Sequence, residues 1–349
     1  MGIENNSYGI NIGTIKKGKR NSITDVEGVK VGHVTLEEEN VHTGVTAILP
    51  HSGNIFREKV VAASHIINGF GKTIGTIQID ELGTIETPII LTNTLSVGTC
   101  ATGLIKYMLK ENKDIGVTTG TINPVVAECN DGYLNDIRGF HVKEEHVEEA
   151  INNASEDFAE GPVGAGTGMK CYGLKGGIGT ASRVINLGGR DCTVGALVLT
   201  NFGIKRRLLI DGVKAGAMMK KEDDQLDKGS VIIILATDIP VNDRQLKRLC
   251  KRVPAGLART GSYYGNGSGD VVIGFTTANK VKQYPVVPFT MVESFYDDYL
   301  DSVFEAVTEA TEEAVISSLL HGKTTDGIKH HQVKSITEYH DLLSSLFKI

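Results

Sequence analysis

Ser230 follows Gly229 and opens the apolar run 231–236, a placement that defines one specific chemistry. In a chain cut between Gly229 and Ser230, the serine hydroxyl shares its residue with a free α-amino group. The pKa of such an amine, about 7.7–8.0, leaves a useful neutral fraction near pH 7. The amine can then take the hydroxyl proton, so one residue supplies both nucleophile and base. Gly229 suits the cut: it has no Cβ to block attack on its own carbonyl and tolerates unusual backbone angles. The polar run 220–228 ahead of it offers a loose new C-terminus, and the apolar run behind it anchors the new N-terminus. On this dipeptide alone, an ordinary Gly-Ser turn entering a strand is the simpler account.

Other chemistry-bearing patterns fall short. His141 and His146 flank two glutamates, but a spacing of five places the rings about 500° apart around a helix, so they diverge instead of sharing a metal. A solvated helix face is the better reading. Gly69-Phe70-Gly71-Lys72-Thr73 resembles a phosphate loop, yet Ile66 stands where the first glycine is required. The glycine-rich stretch 161–179 fails the dinucleotide fingerprint because Met169 takes the third glycine position. It reads as a structural loop under a backbone-lined site, ahead of a direct phosphate site. None of the ten histidines stands in a nucleophile elbow, although spacing leaves open a triad built from distant segments.

The elements that must position these residues are short, β-branched and bounded by Gly, Asn or Thr. Strands are expected at 41–49, 73–79, 88–91, 193–199, 231–236 and 271–275. Helices are expected at 59–67, 98–109, 141–152, 243–257 with Asn242 as N-cap, and 299–321 closed by Gly322. Sheets covered by long helices make an α/β or α+β fold. At 349 residues the length allows two domains or one large layered domain, and no linker or repeat divides the chain. The 41 glycines exceed the roughly 7% of an average protein and imply many tight turns.

A net charge of −6 provides no broad positive field for nucleic acid or anionic lipid, which favours small-molecule or peptide chemistry. No apolar run reaches the roughly 18 residues of a membrane helix and the opening residues lack a signal-peptide core, so a cytoplasmic protein is expected. Five scattered cysteines with no C-x-x-C spacing read as reduced structural thiols.

Longer blocks carry a resemblance. Residues 229–240, Gln245-Leu246-Lys247-Arg248, the run 256–262 and Asn266-Gly267-Ser268-Gly269-Asp270 resemble the L-aminopeptidase/D-esterase (DmpA) family of self-processing serine aminopeptidases, which includes β-aminopeptidases. So do the upstream runs 21–33, 43–48, 124–128, 130–136, 164–168 and 194–203, and Ala310-Thr311-Glu312-Glu313-Ala314 near the end. The blocks span nearly the whole chain in order.

The resemblance implies a single domain over residues 1–349, a four-layer αββα sandwich like that of the N-terminal-nucleophile hydrolases but with different connectivity. It further implies self-cleavage after Gly229 into 1–229 and 230–349, and an acyl-enzyme on Ser230. Ser268 and Asp270 match the Ser-Gly-acid element that orients the nucleophile; some β-aminopeptidases carry Glu where this chain has the shorter Asp270. Asn201 matches an amide that stabilises the oxyanion, with a plain Asn-Phe-Gly turn as its rival. Glu128 matches a carboxylate that binds the substrate's free amino group, with a structural salt bridge to Arg138 as its rival. Tyr133 belongs to the same element and lines the pocket or donates to the oxyanion. The implied substrates are short peptides, amides or esters, with no metal or organic cofactor. The implied assembly is a symmetric homo-oligomer of cleaved heterodimers, four in number. An ornithine-acetyltransferase-like acyltransferase and a non-catalytic binding protein on the same fold stand as alternatives.

Overall fold

The computed structural model describes residues 8–219 and 229–347; the polar run 220–228 lies outside the described residues. Strands β1 (Lys30–Glu38) and β2 (Val41–Leu49) form an antiparallel hairpin, and β3 (Glu58–Gly69) leads through α1 (Thr76–Leu82) and β4 (Thr84–Ile85) to β5 (Ile89–Asn93). Helix α2 (Val97–Glu111) precedes β6 (Val125–Cys129), α3 (Glu145–Asn152) and the short strands β7 (Lys170–Cys171) and β8 (Leu174–Lys175). A long hairpin of β9 (Ile178–Leu187) and β10 (Arg190–Asn201) is followed by α4 (Ala215–Met218) and β11 (Ser230–Thr237). Helices α5 (Asp243–Cys250) and α6 (Val253–Arg259), strand β12 (Gly269–Lys282) and helix α7 (Leu300–Leu320) come next, then a small hairpin of β13 (Thr325–Asp326) and β14 (Gln332–Val333).

The strands form a four-stranded sheet, β1-β2-β5-β6, and a six-stranded sheet, β4-β3-β12-β11-β10-β9. Alternation along β11 explains why they stack. Ile232, Ile234 and Ala236 enter the core shared with Ala47, Ile90 and Val126 of the smaller sheet. Val231, Ile233 and Leu235 enter a second core with Leu246 of α5 and Val303 and Val307 of α7. Helices α2 and α3 cover the outer face of the smaller sheet, and α5 and α7 that of the larger. This is the expected αββα sandwich. Among the described residues, no helix is long and apolar enough to cross a membrane.

Some expectations from the sequence need correction. The segment 59–67, expected as a helix, lies within strand β3, because the β-branched residues Val60, Val61, Ile66 and Ile67 fit a pleat whose hydrogen bonds β12 supplies. The segment 73–79, expected as a strand, makes a single bridge at Ile74 and turns at Gly75, φ 95°, into α1. The single helix expected over 243–257 is two. It opens with the Asn242–Gln245 capping box as expected, then restarts at Val253, where Pro254 fits a first turn and lacks the N–H that an unbroken helix requires. The helix expected over 141–152 begins only at Glu145, so His141 is not on it.

Past the end of β12, residues 284–292 form an exposed apolar strap: Val286 and Met291 are 99% exposed and Phe289 86%. Its feet are fixed where the Gln283 N–H donates to the Arg57 carbonyl (3.0 Å) and where Glu293 takes a hydrogen bond from Arg190 (2.9 Å).

Candidate active site

Ser230 is the first residue of β11 and is buried. Its strand is central, so it has a neighbour on each side: Asn201 at the end of antiparallel β10, and Gly269 at the start of parallel β12. Gly229 is there for lack of room. A Cβ on it would lie 2.0 Å from the Asn201 carbonyl oxygen and 2.5 Å from the Phe202 Cα, so no other residue fits without moving the strand. Its carbonyl accepts a hydrogen bond from the Gly269 N–H (3.3 Å).

The Asn201 amide is oriented from both ends. Its Oδ1 accepts the Lys170 backbone N–H (3.2 Å) and its Nδ2 donates to the Asn130 carbonyl (2.9 Å), leaving one amide hydrogen uncommitted to either. The Asn-Phe-Gly turn expected as the alternative is not what holds this side chain. Ser268 and Asp270, both buried, flank Gly269, and the Ser268 hydroxyl donates to Asp270 Oδ1 (2.5 Å).

Glu128 reaches the same end of the sandwich from the smaller sheet. Strand β6 packs under β11, and the buried carboxylate accepts the Lys72 backbone N–H at Oε1 (2.9 Å) and the Thr94 hydroxyl at Oε2. Arg138 is exposed, and among the described residues Glu128 has no ion pair with it, which removes the salt-bridge alternative. A Cβ built on Gly71 would stand 3.7 Å from both Glu128 Oε1 and the Gly269 Cα, which places the carboxylate beside the strand that pairs with Ser230. The fields of Glu128 and Asp270 also meet at Cys129: burial pushes its thiol well above the ordinary range, and the two carboxylates push it further. All five cysteines are buried free thiols.

Tyr133 lies in the loop after β6. Its half-buried ring stacks on His331 (4.2 Å between centroids) and lies under the Lys170 ammonium (3.9 Å). Next to it, Asp131 is fully buried and bonded to Asn135 Nδ2 (3.1 Å); burial raises its carboxyl to about 7, against the opposing hydrogen bonds from Thr43 and Asn135.

Several contributors were not legible in sequence. Lys72 and Lys170 act through backbone N–H groups, which no side-chain pattern marks, and Thr94 and Asn130 meet their partners only across the folded sheets. The Gly69–Thr73 segment, set aside as an incomplete phosphate loop, starts at the last residue of β3 and runs on as the loop whose Lys72 N–H holds Glu128. The glycine-rich stretch is a structural support. The Lys175 ammonium is buried in it, donating to the carbonyls of Gly166 (3.2 Å), Met169 (2.7 Å) and Gly176 (2.9 Å), and a Cβ on Gly176 would meet Cys171 at 2.6 Å.

A serine at the head of a central strand, facing the seam between two sheets covered by helices, is the arrangement of the N-terminal-nucleophile class of hydrolases. Within that class, the chain belongs to peptidase family S58, whose model matches residues 21–333. It is 40% identical to a beta-peptidyl aminopeptidase, BapA, from Sphingosinicella microcystinivorans, over 92% of this chain and 86% of that protein. It is similar to the crystal structure of the PH0078 protein from Pyrococcus horikoshii OT3 (54% identity, TM-score 0.92, 96% of each chain). It is also similar to the L-aminopeptidase D-Ala-esterase/amidase of Ochrobactrum anthropi, described as a variant of the Ntn hydrolase fold (38% identity, TM-score 0.90, 97% of each chain). The protein is a serine aminopeptidase, and the acyltransferase and non-catalytic alternatives are not favoured.

Proposed function

We propose that the chain cuts itself between Gly229 and Ser230 and then uses the freed serine to remove residues from the amino end of short peptides, amides or esters. Ser230 Oγ attacks the Gly229 carbonyl carbon, the acyl group passes from nitrogen to oxygen, and water releases Gly229 as a carboxylate. The products are 1–229 and 230–349, which stay together as one domain. The new α-amino group then takes the Ser230 hydroxyl proton when a substrate is attacked, and returns it to the leaving amine. Asn201 donates its uncommitted amide hydrogen to the oxyanion, the Ser268–Asp270 pair orients the Ser230 amine and hydroxyl, Glu128 binds the substrate ammonium, and Tyr133 walls the pocket. Nucleophile, base and donors are all protein groups, so the reaction calls on no metal or organic cofactor.

The observation that carries this reading is the register that sets Ser230 between Asn201 and Gly269, with Gly229 pressed on the Asn201 carbonyl. The exposed strap at 284–292 supports assembly into a homo-oligomer of cleaved heterodimers, four in the expected form, because monomers rarely leave so large an apolar surface in water. Free thiols at all five cysteines support a cytoplasmic location. Intact-mass measurement tests the central claim: the wild-type protein gives two fragments divided after Gly229, and Ser230→Ala gives one inactive chain. A wild-type protein that remains whole yet hydrolyses an aminoacyl p-nitroanilide overturns it.

A further inference from the structure

The hairpin of β13 and β14, remote in sequence from every residue assigned above, presses on the loop that carries Tyr133. A Cβ on Gly327 would lie 2.6 Å from the Leu134 Cα, and the Ile328 N–H donates to the Leu134 carbonyl (2.9 Å). At the tip of this hairpin, Lys329 and His330 both hold positive φ, 55° and 59°, a conformation that costs an L-residue energy and that two successive non-glycine residues keep only when their surroundings impose it. The strained pair delivers His331. Its imidazole lies nearly parallel to the Tyr133 ring, 13° between planes and 4.2 Å between centroids, while its Nδ1 stands 2.8 Å from the Tyr133 carbonyl oxygen. A carbonyl only accepts, so Nδ1 carries a proton and donates. One side chain therefore grips both the ring and the peptide of Tyr133.

The Lys170 ammonium lies over the same ring at 3.9 Å, and the Lys170 backbone N–H holds the Asn201 amide. The Tyr133 ring is thus fixed, whereas its hydroxyl makes no hydrogen bond among the described residues. A ring held this firmly with its polar tip left to a ligand is a pre-organised binding wall.

We infer that His331 is a positioning residue for the reaction, setting the ring and backbone of Tyr133 so that the pocket wall keeps its place beside Asn201. The inference rests on the pocket role of Tyr133 proposed above. A double-mutant cycle on the cleaved enzyme tests it, with steady-state kinetics on an aminoacyl p-nitroanilide and with cleaved fraction and thermal midpoint recorded for each variant. His331→Ala is expected to lower kcat/KM about 10-fold, since a misplacement near 1 Å can cost ~100-fold. His331→Phe, which keeps the stack and loses the N–H donor, falls between it and wild type. In a Tyr133→Ala background, His331→Ala has no further effect.

A crippled Tyr133→Ala beside a His331→Ala that turns over like wild type overturns the inference alone. So do two effects that multiply independently. A Tyr133→Ala enzyme with unimpaired turnover overturns the pocket role and the inference with it.

Discussion

Replacing Asn201 by alanine isolates one hydrogen-bond donor. The amide has two hydrogens; one is committed to the Asn130 carbonyl at 2.9 Å, so a single donor remains for negative charge that exists only in the tetrahedral state. Losing one such donor typically raises the barrier by about 3–4 kcal/mol, a fall in kcat of roughly 10²–10³. KM should barely move, because the ground-state carbonyl draws little on that donor. The same substitution removes the Asn201 hydrogen bonds to the Lys170 N–H and the Asn130 carbonyl, at about 1 kcal/mol each, so the thermal midpoint should drop as well. Asn201→Asp keeps the acceptor for Lys170 but opposes oxygen to the Asn130 carbonyl and places charge where charge must develop; its kcat should fall at least as far. The assay is steady-state hydrolysis of an aminoacyl p-nitroanilide, normalised to the cleaved fraction by intact mass because the proposed self-cleavage would pass through an oxyanion too. A fully cleaved Asn201→Ala enzyme with kcat within about threefold of wild type, or a loss carried wholly by KM, refutes the assignment.

Glu128→Gln removes the charge that would pair with a substrate ammonium; charge-assisted hydrogen bonds of about 1.5–3 kcal/mol translate into a 10–100-fold loss of kcat/KM, most of it in KM, and an unchanged KM contradicts the role. Gly229→Ala forces a Cβ to within 2.0 Å of the Asn201 carbonyl oxygen, so uncut precursor should accumulate on denaturing gels; processing at the wild-type rate counts against the tight junction. Asp131 is raised to about 7 in the folded protein, so its neutral form contributes stability that is complete below the ordinary carboxylate range and is lost as pH rises from about 4 through 7. Asp131→Asn cannot titrate, and its denaturant midpoint should gain on wild type between pH 5 and pH 8 by an amount worth a few kcal/mol; a pH-independent difference rules out the buried acid.

Much of the frame was legible because apolar runs fix strands wherever both faces are buried. The stretch 231–236 falls within β11, and 41–49 coincides with β2. The failure at 59–67 came from a segment whose apolar residues fit either period, with the choice made by pairing to β12, more than two hundred residues away. At the site, Ser230, Gly229, Ser268 and Asp270 were visible as a local pattern plus a family likeness. What could not be read was the ladder that brings Asn201 opposite Ser230, or the peptide N–H groups of Lys72 and Lys170, since these depend on register and not on residue type. His331 escaped notice for the same reason: nothing in Lys329-His330-His331 announces that it closes on a tyrosine 198 positions earlier.

The strand order of the larger sheet would govern the fate of the two fragments that the proposed scission creates. Strands β11 and β12 would belong to the second fragment and lie in the middle, with β3 and β4 of the first fragment on one flank and β9 and β10 on the other. Neither piece can slide away without tearing two rows of main-chain hydrogen bonds and opening both cores. Under the proposed scission the nick would therefore act as a ratchet: the halves would stay interleaved, and exchanging them with halves of another molecule would require unfolding.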